Sequence, residues 1–196
     1  ETKSVFDVQD WHELCRRPKV DIHWHPDSWN LGEPALSESE QLATFSHYGY
    51  ERVLLSSVLA LNYDVAAGNA LTASWCEKAP AVFGMIVVNP LQPRESLAEI
   101  DRYASHPKFV GLKTIQDLYH LRLDDERYEP FFQKAAEWHL PVLAHLPGLD
   151  QAAKRHPHVT FIAAHANWGR AQHLVDLPNV AFDFATGHAN RHETQL

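Results

Sequence analysis

Seven short apolar runs recur along the chain with helical patterns between them, and this alternation limits the possible fold more than any other feature. Several of the runs are continuously apolar, as is typical of strands covered on both faces of a parallel sheet. They occupy residues 20–25, 52–56, 82–88, 109–113, 141–145, 160–165 and 180–184. The helical patterns occupy residues 37–49, 64–78, 96–104, 124–139, 149–156 and 169–177. The sequence therefore predicts an α/β fold with βαβ crossovers.

Two parallel architectures fit such an alternation, a doubly wound open sheet and a (β/α)8 TIM-type barrel. No glycine-rich phosphate motif follows the first run, which argues against a nucleotide-binding open sheet. Several runs end in His, Ser or Lys, at the strand ends where a barrel places its active site. A complete barrel needs about 250 residues, whereas this chain has 196. We therefore predict a single barrel domain over residues 1–196 that lacks its eighth βα unit, with 189–196 as a helix cut off part-way.

Charge and composition argue against several classes of partner. The formal net charge is −8, and Arg16-Arg17 is the only basic cluster, so nucleic acids and anionic membranes are not expected partners. The two cysteines have no motif spacing, and no apolar run reaches about 18 residues. We expect a cytoplasmic protein that acts on a small molecule and can form a homodimer.

Four histidines end three of the predicted strands. His23 and His25 are two residues apart, so both imidazoles face the same side of the first strand and can share one metal ion. His145 and His165 close two later strands. A His-x-His pair is common by chance, and a single strand-end histidine is more often a hydrogen-bonded core residue. Their shared position at one end of the barrel favours a metal site.

Other polar and aromatic side chains lie near these strand ends. Lys113 ends the fourth run and can hold a substrate carboxylate, bridge two metals as a carbamate, or extend to solvent at the rim. Asp183, in the seventh run, is interpreted as an acceptor for a histidine N–H or as a cap rather than as a metal ligand. Trp24 and Trp29 can line an aromatic substrate pocket, or they can serve in packing alone.

These residues resemble the amidohydrolase superfamily, in particular its amidohydrolase-related branch, which includes aminocarboxymuconate semialdehyde decarboxylase. The matching segments are DIHWH at 21–25, FGMIVVNP at 83–90, VGLK at 110–113, LAH at 143–145, IAAHAN at 162–167 and FDFA at 182–185. The resemblance implies one divalent metal, usually Zn²⁺, with Mn²⁺ or Fe²⁺ as alternatives. It assigns His23, His25 and His145 as ligands, and His165 as the general acid/base beside the water. The further ligand of that family, an Asp at the end of strand eight, has no counterpart here.

Three functional hypotheses follow. The first is a metal-dependent hydrolase that uses an activated water on a small amide, ester or lactone. The second is a non-oxidative decarboxylase of an aromatic or unsaturated acid, with Lys113 at the carboxylate and Trp24 or Trp29 stacked on the ring. The third is a degenerate barrel without catalytic activity.

Overall fold

A parallel sheet of seven strands forms the centre of the molecule in the computed structural model, which describes residues 17–29, 36–166 and 168–184. The strands follow one another in chain order across the sheet, and each neighbouring pair is parallel. They are β1 (Lys19–Trp24), β2 (Tyr50–Leu55), β3 (Val82–Val87), β4 (Phe109–Lys113), β5 (Val142–Ala144), β6 (Phe161–Ala163) and β7 (Val180–Phe182). The predicted α/β architecture is confirmed, and each strand overlaps its predicted run.

Helices connect the strands. They are α1 (Glu38–His47), α2 (Val58–Asn62), α3 (Val65–Lys78), α4 (Pro93–Tyr103), α5 (Glu129–Glu137), α6 (Leu149–Arg155) and α7 (Trp168–Ala171). Short 3-10 helices lie at Gln116–Tyr119, Glu126–Tyr128 and Gln172–Leu174. Among the described helices, none combines the length and the apolar character needed to span a bilayer.

Side-chain caps determine where several helices begin. Ser37 accepts a hydrogen bond from the Glu40 amide, and the Glu40 carboxylate accepts one from the Ser37 amide, so the predicted capping box at the start of α1 is confirmed. Asp64 caps α3 through the Ala67 amide. The sequence did not predict α2, whose first turn is capped by Ser57. Five residues are too few to show a helical period.

The hydrophobic core lies mainly between the sheet and the helices that cover it. Its largest cluster joins β3–β6 to α4, α5 and α6, with Tyr128, Phe131 and Phe132 among its largest fully buried side chains. A separate small cluster of Met85, Leu143 and Ala164 brings together β3, β5 and the residue after β6. Apolar side chains thus pack on both faces of the sheet, which explains why the strands do not alternate strictly between apolar and polar residues.

The sheet is curled, because its first and last strands meet through side chains. The His23 Nδ1 of β1 lies 2.5 Å from the Oδ2 of Asp183, the residue that follows β7 by one position. The strand order places β1 and β7 at opposite ends of the sheet, so this contact is possible only if the sheet bends round on itself. The arrangement is a TIM-type half-barrel of seven strands, with no eighth strand in the described residues. The helix predicted at 189–196 lies outside them.

Candidate active site

The structure brings the four predicted histidines together at the carboxyl ends of their strands. His23 is in β1 and His25 directly follows it, His145 directly follows β5, and His165 lies two positions after β6. The His23 ring centroid is 5.3 Å from that of His25 and 4.6 Å from that of His165. The centroids of His145 and His165 are 5.2 Å apart. The cluster is the consequence of parallel strands that end on one side of a curled sheet.

His23 lies at the centre of a chain of three polar side chains. Its side chain is only 2% exposed. Its Nδ1 donates to the Asp183 carboxylate at 2.5 Å, and its Nε2 accepts from the Lys113 Nζ at 2.9 Å. Burial lowers the pKa of His23 to about 4, although the hydrogen bond to Asp183 acts in the opposite direction. The ring is therefore neutral at pH 7, with its proton on Nδ1 and its lone pair on Nε2.

His25 has the same tautomer for a different reason. Its Nδ1 lies 2.7 Å from the backbone carbonyl oxygen of Ser56, which can only accept, so Nδ1 carries the proton. Burial, followed by the charge of Lys113, lowers the pKa of His25 to about 3. The Trp29 ring packs edge-on against the His25 ring at a centroid distance of 5.0 Å. The lone pair of His25 is thus also on Nε2.

His145 completes the set. Its Nδ1 donates to the Asp117 carboxylate at 2.6 Å. Its Nε2 is buried and has no hydrogen-bond partner among the side chains and backbone that the structure describes. Burial lowers the pKa of His145, against the effect of the Asp117 carboxylate. A buried nitrogen lone pair without a partner is costly, and coordination to a metal ion would satisfy it.

The donor chemistry of these residues fits one divalent metal ion. His23, His25 and His145 each have Nδ1 bound to an oxygen acceptor and a lone pair on Nε2, the arrangement that protein-bound histidine ligands adopt. In the described ranges, no three or more His, Cys, Asp or Glu side chains form a ready-made metal cage. The Nε2 lone pair of His23 is used by Lys113, and metal binding there would replace that hydrogen bond.

Lys113 lies inside the barrel and not at its rim. Its side chain is fully buried, so the interpretation of Lys113 as a rim residue extending to solvent is wrong. Burial lowers the pKa of Lys113 to about 7, with the charge of Asp183 acting in the opposite direction. Lys113 therefore exists in both protonation states near neutral pH.

His165 occupies a strained backbone position beside a cavity. Its φ is 52°, in the left-handed region that residues other than glycine rarely adopt and that is frequent at functional sites. A cavity of about 730 Å³ opens beside it, a volume typical of small-molecule sites. The cavity lining includes His145, Asp117, Arg122 and Arg170. His165 thus lies between the histidine cluster and a space for a substrate.

The structure does not bring Trp24 to this cluster. Its indole Nε1 donates to Gln41 Oε1 at 2.8 Å, and its ring packs edge-on against Phe45 of α1. Successive side chains of a strand face opposite sides, so Trp24 points away from the face used by its neighbours His23 and His25. Its placement in a substrate pocket is therefore corrected to packing between β1 and α1, whereas Trp29 does contact the cluster through His25.

Sequence reasoning missed two residues that hold His145. Gln116 and Asp117 lie on the 3-10 helix after β4, and they bind the backbone and the ring of His145 respectively. A short irregular turn has no periodic pattern, so only the carboxylate and amide that follow Lys113 at a strand end could have indicated them.

Comparison with known proteins agrees with this arrangement. A sequence model of the amidohydrolase family matches residues 13–193. No curated protein sequence matches the chain.

Solved structures share the fold at low sequence identity. The 4-oxalomesaconate hydratase of Rhodopseudomonas palustris is 18% identical, with a TM-score of 0.62 over 86% of this chain and 74% of that one. The 2,6-dihydroxybenzoate decarboxylase of Rhizobium is 16% identical, with a TM-score of 0.58 over 76% and 65%. The 5-carboxyvanillate decarboxylase of Novosphingobium aromaticivorans, solved with manganese, is 20% identical, with a TM-score of 0.53 over 67% and 49%.

This chain spans about half the length of the last of these proteins. At such identities the likeness concerns the fold. The curled parallel sheet with histidines at its strand ends agrees with the sequence match. Because the family model matches nearly the whole sequence, the chain belongs to the amidohydrolase family.

Proposed function

We propose that this protein is a metal-dependent hydrolase that uses an activated water on an amide, ester or lactone bond of a small organic substrate. The observation that carries the proposal is the shared tautomer of His23, His25 and His145, each with Nδ1 bound to oxygen and a lone pair on Nε2. These three residues would hold the metal. Imidazole donors suit zinc, and the manganese-containing decarboxylase of the same fold makes Mn²⁺ the first alternative.

The chain's own residues supply the remaining chemistry. A bound divalent metal would contribute Lewis-acid activation of water and of a carbonyl oxygen. His165 lies beside His23 and His145 and on the wall of the cavity, and it would take a proton from the attacking water and return it to the leaving group. Asp183 holds the His23 imidazole in one orientation, and Asp117 does the same for the His145 imidazole.

Metal analysis and turnover together test this proposal. The purified full-length protein, reconstituted with Zn²⁺, Mn²⁺ or Fe²⁺, should contain about one equivalent of metal and hydrolyse members of a panel of lactones, esters and amides. His23→Ala should lower the metal content, whereas His165→Ala should lower turnover more than metal content. Less than about a tenth of an equivalent after reconstitution would sink the proposal. Equal loss of metal in the two variants would make His165 a ligand instead.

A second candidate is non-oxidative decarboxylation of an aromatic or unsaturated acid. Arg122 and Arg170 line the cavity next to His145 and His165, and the buried Lys113 lies beside His23, so cationic groups would be available for a substrate carboxylate. Two proteins of similar fold are named as decarboxylases of aromatic acids. His165 would then deliver a proton to the carbon that loses carbon dioxide.

Release of carbon dioxide separates the two candidates. A panel of hydroxybenzoates and unsaturated acids is incubated with the metal-loaded protein, and Arg170→Gln is compared with Arg52→Gln, a change far from the cavity. Decarboxylation that Arg170→Gln reduces and Arg52→Gln does not would favour the second candidate. Turnover of lactones or amides with no release of carbon dioxide from any acid would reject it.

A further inference from the structure

The 3-10 helix after β4, Gln116–Tyr119, holds His145 at its backbone. The Gln116 Nε2 donates to the carbonyl oxygen of His145 at 2.7 Å and to that of Pro147 at 3.2 Å, and the His145 amide donates to Gln116 Oε1 at 3.2 Å. Gln116 is fully buried. Its amide group therefore holds the main chain on both sides of His145, which leaves the side chain of His145 to be oriented by a second contact.

Asp117, the next residue, supplies that second contact. Its Oδ2 lies 2.6 Å from the His145 Nδ1, and its side chain is half exposed whereas that of His145 is 22% exposed. A carboxylate bound to a ring N–H is a charge-assisted hydrogen bond, which is stronger than a neutral one. Two consecutive residues of one short turn thus bind the main chain and the ring of a single histidine.

The contact with Asp117 decides where the proton of His145 resides. An ionised carboxylate only accepts, so the proton of the neutral ring stays on Nδ1 and the lone pair stays on Nε2. That Nε2 is buried and without a hydrogen-bond partner in the described part of the chain. The ring is held in the one tautomer that leaves a buried lone pair on Nε2 without a hydrogen bond, an arrangement that costs the folded chain free energy.

We propose that Asp117 is a positioning residue that keeps the proton of His145 on Nδ1, so that the Nε2 lone pair is available to a metal ion before the ion binds. The metal part of this inference rests on the proposed function, but the tautomer part does not. Asp117 acts through the His145 ring and need not touch the metal or the substrate. Replacement of Asp117 should change the tautomer of the His145 ring and lower the affinity for metal. Both changes should be seen in protein that is still folded.

Nuclear magnetic resonance of the metal-free full-length chain tests the tautomer directly. The ¹⁵N chemical shifts of the His145 ring, assigned by their absence from the spectrum of His145→Gln, distinguish a protonated from an unprotonated nitrogen. The wild type should show a protonated Nδ1 and an unprotonated Nε2. In Asp117→Ala the Nε2–H form should become populated, whereas Asp101→Asn, a charge change on the surface of α4, should leave the shifts unaltered.

Metal titration supplies the second measurement. Zn²⁺ affinity should fall about 10- to 100-fold in Asp117→Ala, should fall less in Asp117→Asn, whose amide oxygen can still accept from Nδ1, and should stay unchanged in Asp101→Asn. Wild-type ring shifts in Asp117→Ala would overturn the inference, even if the variant were less stable. If Asp117→Ala does not fold, Asp117→Leu replaces it, because leucine is close in size to aspartate and has no acceptor, and wild-type shifts and affinity in that variant would overturn the inference equally. A wild type that binds no metal would contradict the proposed function, while the comparison of ring shifts would still decide the role of Asp117.

Discussion

His23 lies between a carboxylate and an ammonium group, and its neutral state depends on burial more than on either neighbour. Burial is the largest cause of the low pKa of His23 and also of that of Lys113, whereas Asp183 opposes both shifts. The folded chain therefore buries two basic groups, and their neighbours do not fully offset the free-energy cost of removing the charged forms from water. At the scale of single residues, protonation of His23 or Lys113 therefore opposes folding.

Lys113 should make the free energy of unfolding of the metal-free protein rise as the pH increases above 7. Its pKa in the folded state, about 7, lies below its ordinary value of 10.5. The unfolded chain therefore binds more protons than the folded chain between these values, and stability rises with pH there. The free energy of unfolding should increase by about 2 kcal/mol from pH 7 to 8.5, as measured by urea denaturation. Lys113→Met should remove this rise and Lys108→Met should retain it. A parallel rise in Lys113→Met would show that another group is responsible.

His23 should have the corresponding effect in acid. Its pKa in the folded state, about 4, lies below its ordinary value of 6.5, so its contribution to stability is complete above pH 6.5 and is lost as the pH falls towards 4. The metal-free wild type should lose about 2–3 kcal/mol more than His23→Gln between pH 7 and 4.5. Urea midpoints at the two pH values measure the difference. His158→Gln, at an exposed histidine, should behave as the wild type does, and equal losses in all three proteins would contradict the assignment to His23.

At the scale of elements, the loop after β1 is fixed by the start of α2. The Asp27 carboxylate accepts from the Ser57 hydroxyl at 2.8 Å and from the amides of Val58 and Leu59 at 2.7 and 2.8 Å. These contacts lie two positions after His25, so the N-terminus of a five-residue helix anchors the strand end that carries a candidate ligand. A carboxylate at a helix N-terminus is favoured by the unpaired amides and by the helix dipole.

Removal of this anchor should affect both stability and metal binding. Asp27→Ala should lower the free energy of unfolding by about 1–2 kcal/mol and should weaken Zn²⁺ binding, because the loop after His25 loses its fixed position. Asp64→Ala removes the cap of α3 and should lower stability by about 1 kcal/mol without change in metal affinity. Chemical denaturation and metal titration of both variants check these outcomes. Equal metal affinities in the two variants would restrict Asp27 to a structural role.

The elements also show how far the sequence predicts this protein. The continuous apolar character of the strands and the strand-end positions of His23, His25, His145 and His165 are local properties, and they predicted the sheet and the cluster. Trp24 was misplaced, since an aromatic residue between two histidines is near them in sequence but on the opposite face. The role of Asp117 depends on contact with a residue 28 positions away, which no local pattern reports.

At the scale of the whole molecule, the candidate ligands join distant parts of the sheet. His23 lies in β1 and His25 directly follows it, whereas His145 directly follows β5, four strands further along the sheet. A ligand bound to all three would stabilise the folded chain as a whole, since global unfolding separates them. The curled sheet, rather than any single loop, is therefore the unit that metal binding should stabilise.

Saturating metal should raise the stability of the wild type accordingly. Zn²⁺ at about 100 times its dissociation constant should add about 2.7 kcal/mol to the free energy of unfolding, with increased hydrogen-exchange protection in β1 and β5 together. His145→Gln should lose most of this gain, whereas His158→Gln should keep it. Calorimetry and hydrogen exchange measure the two effects. Protection confined to β1 would mean that His145 does not share the ion with His23 and His25.

The contact between His23 and Asp183 spans 160 positions of the sequence, and this separation has a consequence for biosynthesis. At about 5–20 residues per second, a ribosome needs roughly 8–32 s to pass from one residue to the other. During that interval the nascent chain carries an imidazole without its carboxylate, and the proton on His23 has no fixed position. The tautomer of His23 is thus established only after the seventh strand has been synthesised, so this part of the site forms later in translation than β1 itself.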